Sequence, residues 1–316
     1  MDQVLEPIKI AVAADGGPAA RSAMELLTRI GSRDQLEVTV LSVAPMGLQR
    51  LEHAGEIVGS KSERRDRAGS CVRDAVLALG RAGFPAKGLV MEGRAEHELV
   101  RTIKEHGFEL VVLGSGSRSV LGHLILGSVS TYVLDHSPSS VLVVHSLREA
   151  LTPARILLGI DGTVGAGDAV AFIRKAMDPD RCHVKISSIV AADPIAVATT
   201  PGLYIPLRNE DERHRLRVKA EHIVDEASSL LTSWGFTTSS VVADGPVERT
   251  LERLGAEWEA DVTVVGSRRL GPRRRILLGS VGSALARRTP AALVVRDRSP
   301  VTIDIDDVRT RHTVGV

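Results

Sequence analysis

The chain has 316 residues, too many for one ordinary compact unit and suited to two domains of roughly 150. Forty Lys and Arg against 39 Asp and Glu leave a formal charge of +1, which argues against a strongly basic nucleic-acid binder or an acidic solvating chain. The hydrophobic fraction is 43%, but with only four Phe, two Trp and two Tyr it suits buried parallel strands under helices and not an aromatic platform for single-stranded nucleic acid.

The N-terminus, MDQVLEPIKIAVAADGG, carries acidic residues where a secretory signal needs basic ones. No stretch nears the roughly 20 apolar residues of a membrane span, so a cytoplasmic protein is expected. Residues 8–14 read as a first strand, and Pro18 opens a helix that runs to Gly31, a glycine of the C′ type. A second strand follows at 36–43, then a charged helix whose clearest part is 64–81. Next come a strand at 86–91, a helix at 95–106 and a buried strand at 110–113. A glycine-rich loop then leads to a helix at 128–135 and a short apolar strand at 141–144. Cys71 and Cys182 are too few for a disulfide framework, lie in no zinc-ligand cluster and are expected as buried thiols.

This order is written twice. IKIAVAAD, ending at Asp15, matches RILLGID, ending at Asp161, an offset of 146. ELVVLGSGSR matches DVTVVGSRR, LILGSVS matches ILLGSVGS and SPSSVLVVH matches TPAALVVRD, each at an offset of 152. One change of offset, by six, means two homologous units with an insertion in the second, around 192–208. A highly charged helix near 211–234 follows that insertion. The division expected is a domain at 1–147, a linker at 148–153, a domain at 154–297 and an extension at 298–316 without a counterpart. Strands alternating with helices imply an α/β fold, each unit a doubly wound parallel sheet of five strands with helices on both faces.

In such sheets ligands bind beyond the carboxyl ends of the strands, where strand order reverses. Here the first strand of each unit ends in Asp-Gly and the fourth in Gly-Ser. A second Gly-Ser then starts a helix at Gly127-Ser128-Val129-Ser130 and at Gly279-Ser280-Val281-Gly282. Unpaired N–H groups and the helix dipole favour a phosphate there, although a serine N-cap after a flexible glycine reads the same way. No G-x-x-x-x-G-K-[ST] loop is present, and the run from Gly114 lacks the last glycine and the early position of a dinucleotide fingerprint.

With these motifs the two units resemble tandem universal stress protein domains, an adenine-nucleotide-binding α/β family. ATP-binding members of that family carry G-x2-G-x9-G-[ST] after the fourth strand. This chain has Gly114-x2-Ser117-x9-Gly127-Ser128 and Gly266-x2-Arg269-x9-Gly279-Ser280, so the spacing is kept and the middle glycine is replaced in both units. The resemblance implies that Asp15 and Asp161 contact the nucleoside and that the backbone at Val43 and Ile189 meets adenine. It implies ATP or another adenine nucleotide as ligand, with Mg²⁺. Arg269 lies among five arginines in the eight residues 268–275. It reads as part of a solvated basic loop, as charge runs usually are, as a guanidinium clamp on phosphate, or as a side chain that fills the pocket.

The phosphate loop offers Ser, Arg and His123 but no carboxylate base, so no catalytic residue is assigned and hydrolysis is expected to be slow at most. No metal ligand is assigned either, since Asp15 and Asp161 read first as turn caps or hydroxyl partners. His97, His106, His136 and His145 are read as structural or surface residues. Three functions compete: a nucleotide-binding stress regulator, a nucleotide-independent adaptor with degenerate loops, and a nucleotide-consuming transferase. The apolar last strands at 141–144 and 292–295 invite edge pairing. In similar domains that strand joins subunits, so an internal pseudo-dimer is expected, with a homodimer of chains and an unspecified protein partner also open. No membrane and no nucleic acid is expected as partner.

Overall fold

The computed structural model describes residues 6–46, 60–118, 124–148, 152–191, 196–197, 204–205, 210–267 and 279–296. In the first unit β1 (Ile8–Ala13), α1 (Pro18–Ile30), β2 (Leu36–Pro45), α2 (Lys61–Arg81), β3 (Ala86–Gly93), α3 (Ala95–His106) and β4 (Leu110–Gly114) alternate. A short antiparallel hairpin of β5 (Gly116–Arg118) and β6 (Leu124–Leu126) then leads to α4 (Ser128–His136) and β7 (Ser140–Val144).

The second unit begins with β8 (Ala154–Ile160), α5 (Val164–Ala176) and β9 (Cys182–Ala191). A two-stranded pair, β10 (Ala196–Val197) and β11 (Tyr204–Ile205), stands where the six extra residues were expected. Then follow α6 (Glu210–Ser233), β12 (Thr237–Gly245), α7 (Val247–Glu257), β13 (Val262–Gly266), α8 (Ser280–Arg288) and β14 (Ala291–Val295).

The helices carry their own start and stop signals. In α1, Pro18 supplies a fixed φ at the first turn, and Ala20, Ala23, Leu26, Leu27 and Ile30 bury one face at helical spacing. Ser60 and Glu63 form a reciprocal capping box at the start of α2, with N–H···O distances of 3.2 and 2.6 Å. Gly31 ends α1, but in an extended conformation (φ −77°, ψ 143°) and not in the left-handed one expected of a C′ glycine. The glycine is required by crowding and not by a left-handed turn: a Cβ there would lie 2.7 Å from the Leu27 carbonyl oxygen and 2.8 Å from Leu36 Cδ1.

Ten strands form one sheet in the order β12-β9-β8-β13-β14-β7-β4-β1-β2-β3. All pairings are parallel except the one between β14 and β7. One face is covered by α1, α2, α5 and α6, whose apolar sides pack on Ile10, Val12, Ile156 and Leu158. The other is covered by α3, α4, α7 and α8 over Ala11, Val111, Leu157 and Val265. Both layers cross the β7–β14 junction, so these strands are buried on both faces and read as unbroken apolar runs.

The junction is a pseudo-two-fold. Leu142 pairs with Leu293, and the register runs symmetrically outward to Val144 with Ala291. At the ends of α1 and α5 the Ser32 N–H donates to the Ala176 carbonyl (3.0 Å) and the Asp178 N–H to the Ile30 carbonyl (2.9 Å). Arg29 pairs with Asp261 (2.9 Å), and its repeat equivalent Lys175 pairs with Glu109 (3.1 Å). On the opposite face the buried Arg296 guanidinium donates to the Ser137 and Leu134 carbonyls at the end of α4, while His145 Nε2 meets the Ala286 carbonyl of α8 at 2.7 Å. A cation at the C-terminal end of a helix is favourably placed against the helix dipole. His145 and Arg296 are symmetry mates only at an offset of 151, and the strand register agrees: Val111 pairs with Val141, whereas Thr263 pairs with Ala292. The turn after α8 is thus one residue shorter than that after α4, and the offset of 152 read for the last strand is corrected to 151.

Candidate functional site

Strand order reverses between β1 and β4 in the first unit and between β8 and β13 in the second. Val12 pairs with Val112, so β1 and β4 run level and Asp15 and Ser115 leave neighbouring strands at the same edge. Asp15 Oδ1 accepts the Gly17 N–H at 2.7 Å, closing a turn in which Gly16 takes φ 78°. Asp161 does the same in the second unit, accepting from Thr163 N (3.1 Å) and Thr163 Oγ1 (2.6 Å). Val43 and Ile189 sit half-buried near the ends of β2 and β9.

The loop after β4 returns to this edge. The Gly127 N–H donates to the Ser115 carbonyl at 2.9 Å, and Gly127 becomes the N-cap of α4 in an extended conformation (φ −65°, ψ 161°). Its own N–H being used, the N–H groups of Ser128, Val129 and Ser130 are the first-turn donors that an α-helix leaves unpaired. The Ser128 side chain is exposed beside them. The Ser130 hydroxyl is not available to a ligand, because it is buried and donates to the Gly114 carbonyl at 3.0 Å. Gly114 is needed for another reason: a Cβ would lie 2.4 Å from the Ala19 carbonyl carbon, where α1 starts against β4. Ser117 lies within β5, its backbone opposite Ile125.

The second unit repeats the frame with altered contacts. Gly266 is pressed still harder, its Cβ position only 1.8 Å from the Gly165 carbonyl oxygen. Gly279 caps α8 with nearly the backbone of Gly127 (φ −60°, ψ 154°). Ser280, the first residue of α8, donates its hydroxyl to Glu248 Oε1 of α7 at 3.0 Å. Arg269 and His123 lie outside the described residues, and with Arg269 the choice among its three readings.

Two neighbours of the site escaped the sequence reading. Cys71 of α2, expected to be buried, is half-buried against the Asp15 turn: a Cβ on Gly16 would meet its Sγ at 2.8 Å. Burial, then the charges of Asp15 and Asp74, push the Cys71 thiol pKa up. Cys182 is buried as expected, its pKa pushed up to about 12 chiefly by desolvation. Glu248 is the second, and the signal that could have found it is its equivalence to Glu96 at the 152 offset. A cavity of about 270 Å³ opens elsewhere, between α6 and β12, lined by Arg217, Glu221, Asp225 and Ser240. Among the described residues no three His, Cys, Asp or Glu side chains gather as a metal site.

A family model described as the universal stress protein family matches residues 8–145 and again 153–296. The universal stress protein Rv2623 of Mycobacterium tuberculosis is 28% identical over 308 residues, 91% of this chain and 96% of that protein. Rv2005c of the same organism, also a universal stress protein, is 30% identical over 201 residues, 60% of this chain and 62% of that protein, so the match spans less than two thirds of that relative. Among solved structures, a universal stress protein from Archaeoglobus fulgidus superposes with a TM-score of 0.63 at 19% identity, covering 91% of this chain and 98% of that one.

Proposed function

The chain belongs to the universal stress protein family, and on that premise we propose that it is a stress-response regulator that binds ATP or a related adenine nucleotide, foremost in its first unit. The observation that carries the reading is the return of Gly127 to the Ser115 carbonyl, which sets the open end of α4 beside the Asp15 turn at the reversal of strand order. In this reading the N–H groups of Ser128, Val129 and Ser130, with the Ser128 hydroxyl, receive the phosphates. Asp15 keeps its Oδ2 for a ribose hydroxyl while Oδ1 holds the turn. The backbone near Val43 meets adenine.

The chemistry a bound Mg²⁺ supplies is neutralisation of the phosphate charge, and a hard cation of this kind is held mainly by phosphate oxygens and water. That fits a site to which the described residues bring one turn-capping carboxylate and no acidic cluster. Occupancy, with slow hydrolysis at most, modulates what the protein binds. We read it as cytoplasmic; among the described residues no helix is long and apolar enough to cross a membrane. A homodimer of chains would have to use surfaces other than β7 and β14, which already pair with each other.

The test is calorimetric titration of nucleotide-stripped protein with Mg-ATP, beside the variant Ser128→Glu. An acidic side chain in the first turn suits the helix, so the fold is kept while a like charge stands where phosphate would bind. Affinity in the first unit should fall at least about tenfold, the worth of a charged hydrogen bond. Unchanged affinity would place the phosphates elsewhere, and no binding by the wild type would leave the nucleotide-independent adaptor. For the second unit that adaptor reading has its own support, the Glu248 carboxylate already bound at Ser280.

A further inference from the structure

The repeat allows the two phosphate-facing helices to be compared residue by residue, and one difference stands out. Glu96 and Glu248 are equivalent, each in the first turn of the helix after the third strand of its unit. In the first unit Arg94, the N-cap of α3, holds Glu96 through Nε at 2.9 Å and Nη2 at 2.6 Å, both on Oε1. In the second unit the position of Arg94 is taken by Pro246, which has no charge to offer. Glu248 turns instead to the start of α8 and accepts the Ser280 hydroxyl at 3.0 Å. A second acid of α7, Glu252, faces Arg288 at the far end of α8 at 3.9 Å.

We propose that Glu248 is an internal anion that competes with nucleotide phosphate for the start of α8, and that Arg94 keeps the first unit open by holding the equivalent Glu96 away. This rests on the reading of these helix starts as phosphate sites. The physical argument is one of like charges. The positive end of α8 and its unpaired N–H groups stabilise a single anion well, and a carboxylate serves them as a phosphate does. A second negative group cannot share the place without repulsion, so a nucleotide must first turn Glu248 out. In the first unit the same carboxylate is neutralised by a guanidinium that donates twice to its Oε1, through charge-assisted hydrogen bonds. The two units then differ in affinity because of one arginine-to-proline difference, independently of what Arg269 does.

The experiment is Mg-ATP calorimetry on the full chain in four forms: wild type, Glu248→Gln, Arg94→Ala, and Arg94→Ala with Glu96→Gln. Glutamine keeps the shape of Glu248 and removes its charge. The weaker of two binding events should tighten roughly fivefold or more in Glu248→Gln, the lower bound set by removing one like charge about 4 Å from a phosphate fully screened by water. The stronger event should be unmoved. Arg94→Ala should weaken the stronger event by a similar factor, and Glu96→Gln should restore it. An unchanged isotherm for Glu248→Gln, with Ser128→Glu still removing the first event, overturns this inference and leaves the nucleotide reading intact. No restoration by Glu96→Gln overturns the role given to Arg94, which would then touch the ligand itself. No binding by wild type or Glu248→Gln overturns both the inference and the reading beneath it.

Discussion

Replacing the four motif glycines by alanine, one at a time, separates what the fold requires from what a ligand requires. A Cβ on Gly114 would lie 2.4 Å from the Ala19 carbonyl carbon and 2.5 Å from Ala20 N. On Gly266 it would lie 1.8 Å from the Gly165 carbonyl oxygen and 2.3 Å from its carbon. On Gly127 the one close atom is the Ser115 carbonyl oxygen, at 2.7 Å. Around Gly279 nothing among the described residues comes within 4 Å. Carbon atoms pack best at about 3.5–4.0 Å, so α1 or α5 must withdraw by roughly 1 to 1.5 Å, and backbone cannot step aside as a side chain does. Overpacking of this kind costs about 1–3 kcal/mol. We therefore expect about 2 kcal/mol for Gly114→Ala, about 3 kcal/mol for Gly266→Ala and less for Gly127→Ala. Gly279→Ala should cost below about 1 kcal/mol, the difference between glycine and alanine at an N-cap. The assay is urea unfolding followed by circular dichroism, comparing midpoints at unchanged slope. A cost for Gly279→Ala as large as for Gly266→Ala, or a neutral Gly114→Ala, would refute the reasoning. If it holds, the first glycine of each motif is kept for helix packing, and its retention in the second unit says nothing about nucleotide.

The symmetric ion pairs at the junction should be unequal in energy. Asp261 is 3% exposed and accepts from both Arg29 Nη2 and Arg155 N, so Asp261→Ala should cost about 3 kcal/mol. Its partly exposed mate Glu109 should cost about 0.5 kcal/mol when replaced by alanine, and equal midpoint shifts in urea would sink the distinction. Cys71 should alkylate slowly with iodoacetamide, because burial first, and then Asp15 and Asp74, hold its pKa up. Asp15→Asn should speed that reaction while Cys182, with a pKa of about 12, stays unmodified; identical rates for Cys71 in both proteins would show that Asp15 does not set its thiolate fraction.

What could be read from the chain was what is local or repeated. Apolar runs of four to seven residues between glycine and proline signals marked the strands, and the duplicated runs at Asp15 and Asp161 gave the architecture. The alternation implied a doubly wound sheet, while the strand order itself is seen only in the structure. The pairing of the last strands was legible from their apolar runs, but the side-chain contacts between units were not, because Arg296 with Leu134 or Arg29 with Asp261 join residues far apart in sequence with no pattern to announce them. The shorter turn before β14 was hidden for a different reason. Ser137-Pro138 matches Thr289-Pro290 at 152, and carrying that offset onward overrode the match of Leu142-Val143-Val144 with Leu293-Val294-Val295 at 151, which the strand register bears out. Glu248 was visible as a residue but not as a partner of Ser280, since the cause lies in a neighbour, Pro246, that lacks what Arg94 has.

Joining the two halves of the sheet through β7 and β14 of one chain has a consequence beyond stability. In an assembly of identical chains a substitution appears on both sides of the axis at once, and each change must be tolerated twice. Here the two sides are spelled separately, so one can be altered while the other is left alone. Dilution, which dissolves a pair of identical chains, leaves this pair at a fixed one-to-one ratio at any concentration. The arrangement keeps the packing of a symmetric dimer while letting its two ends answer different questions, and Arg94 on one side with Pro246 on the other is such a difference already in place.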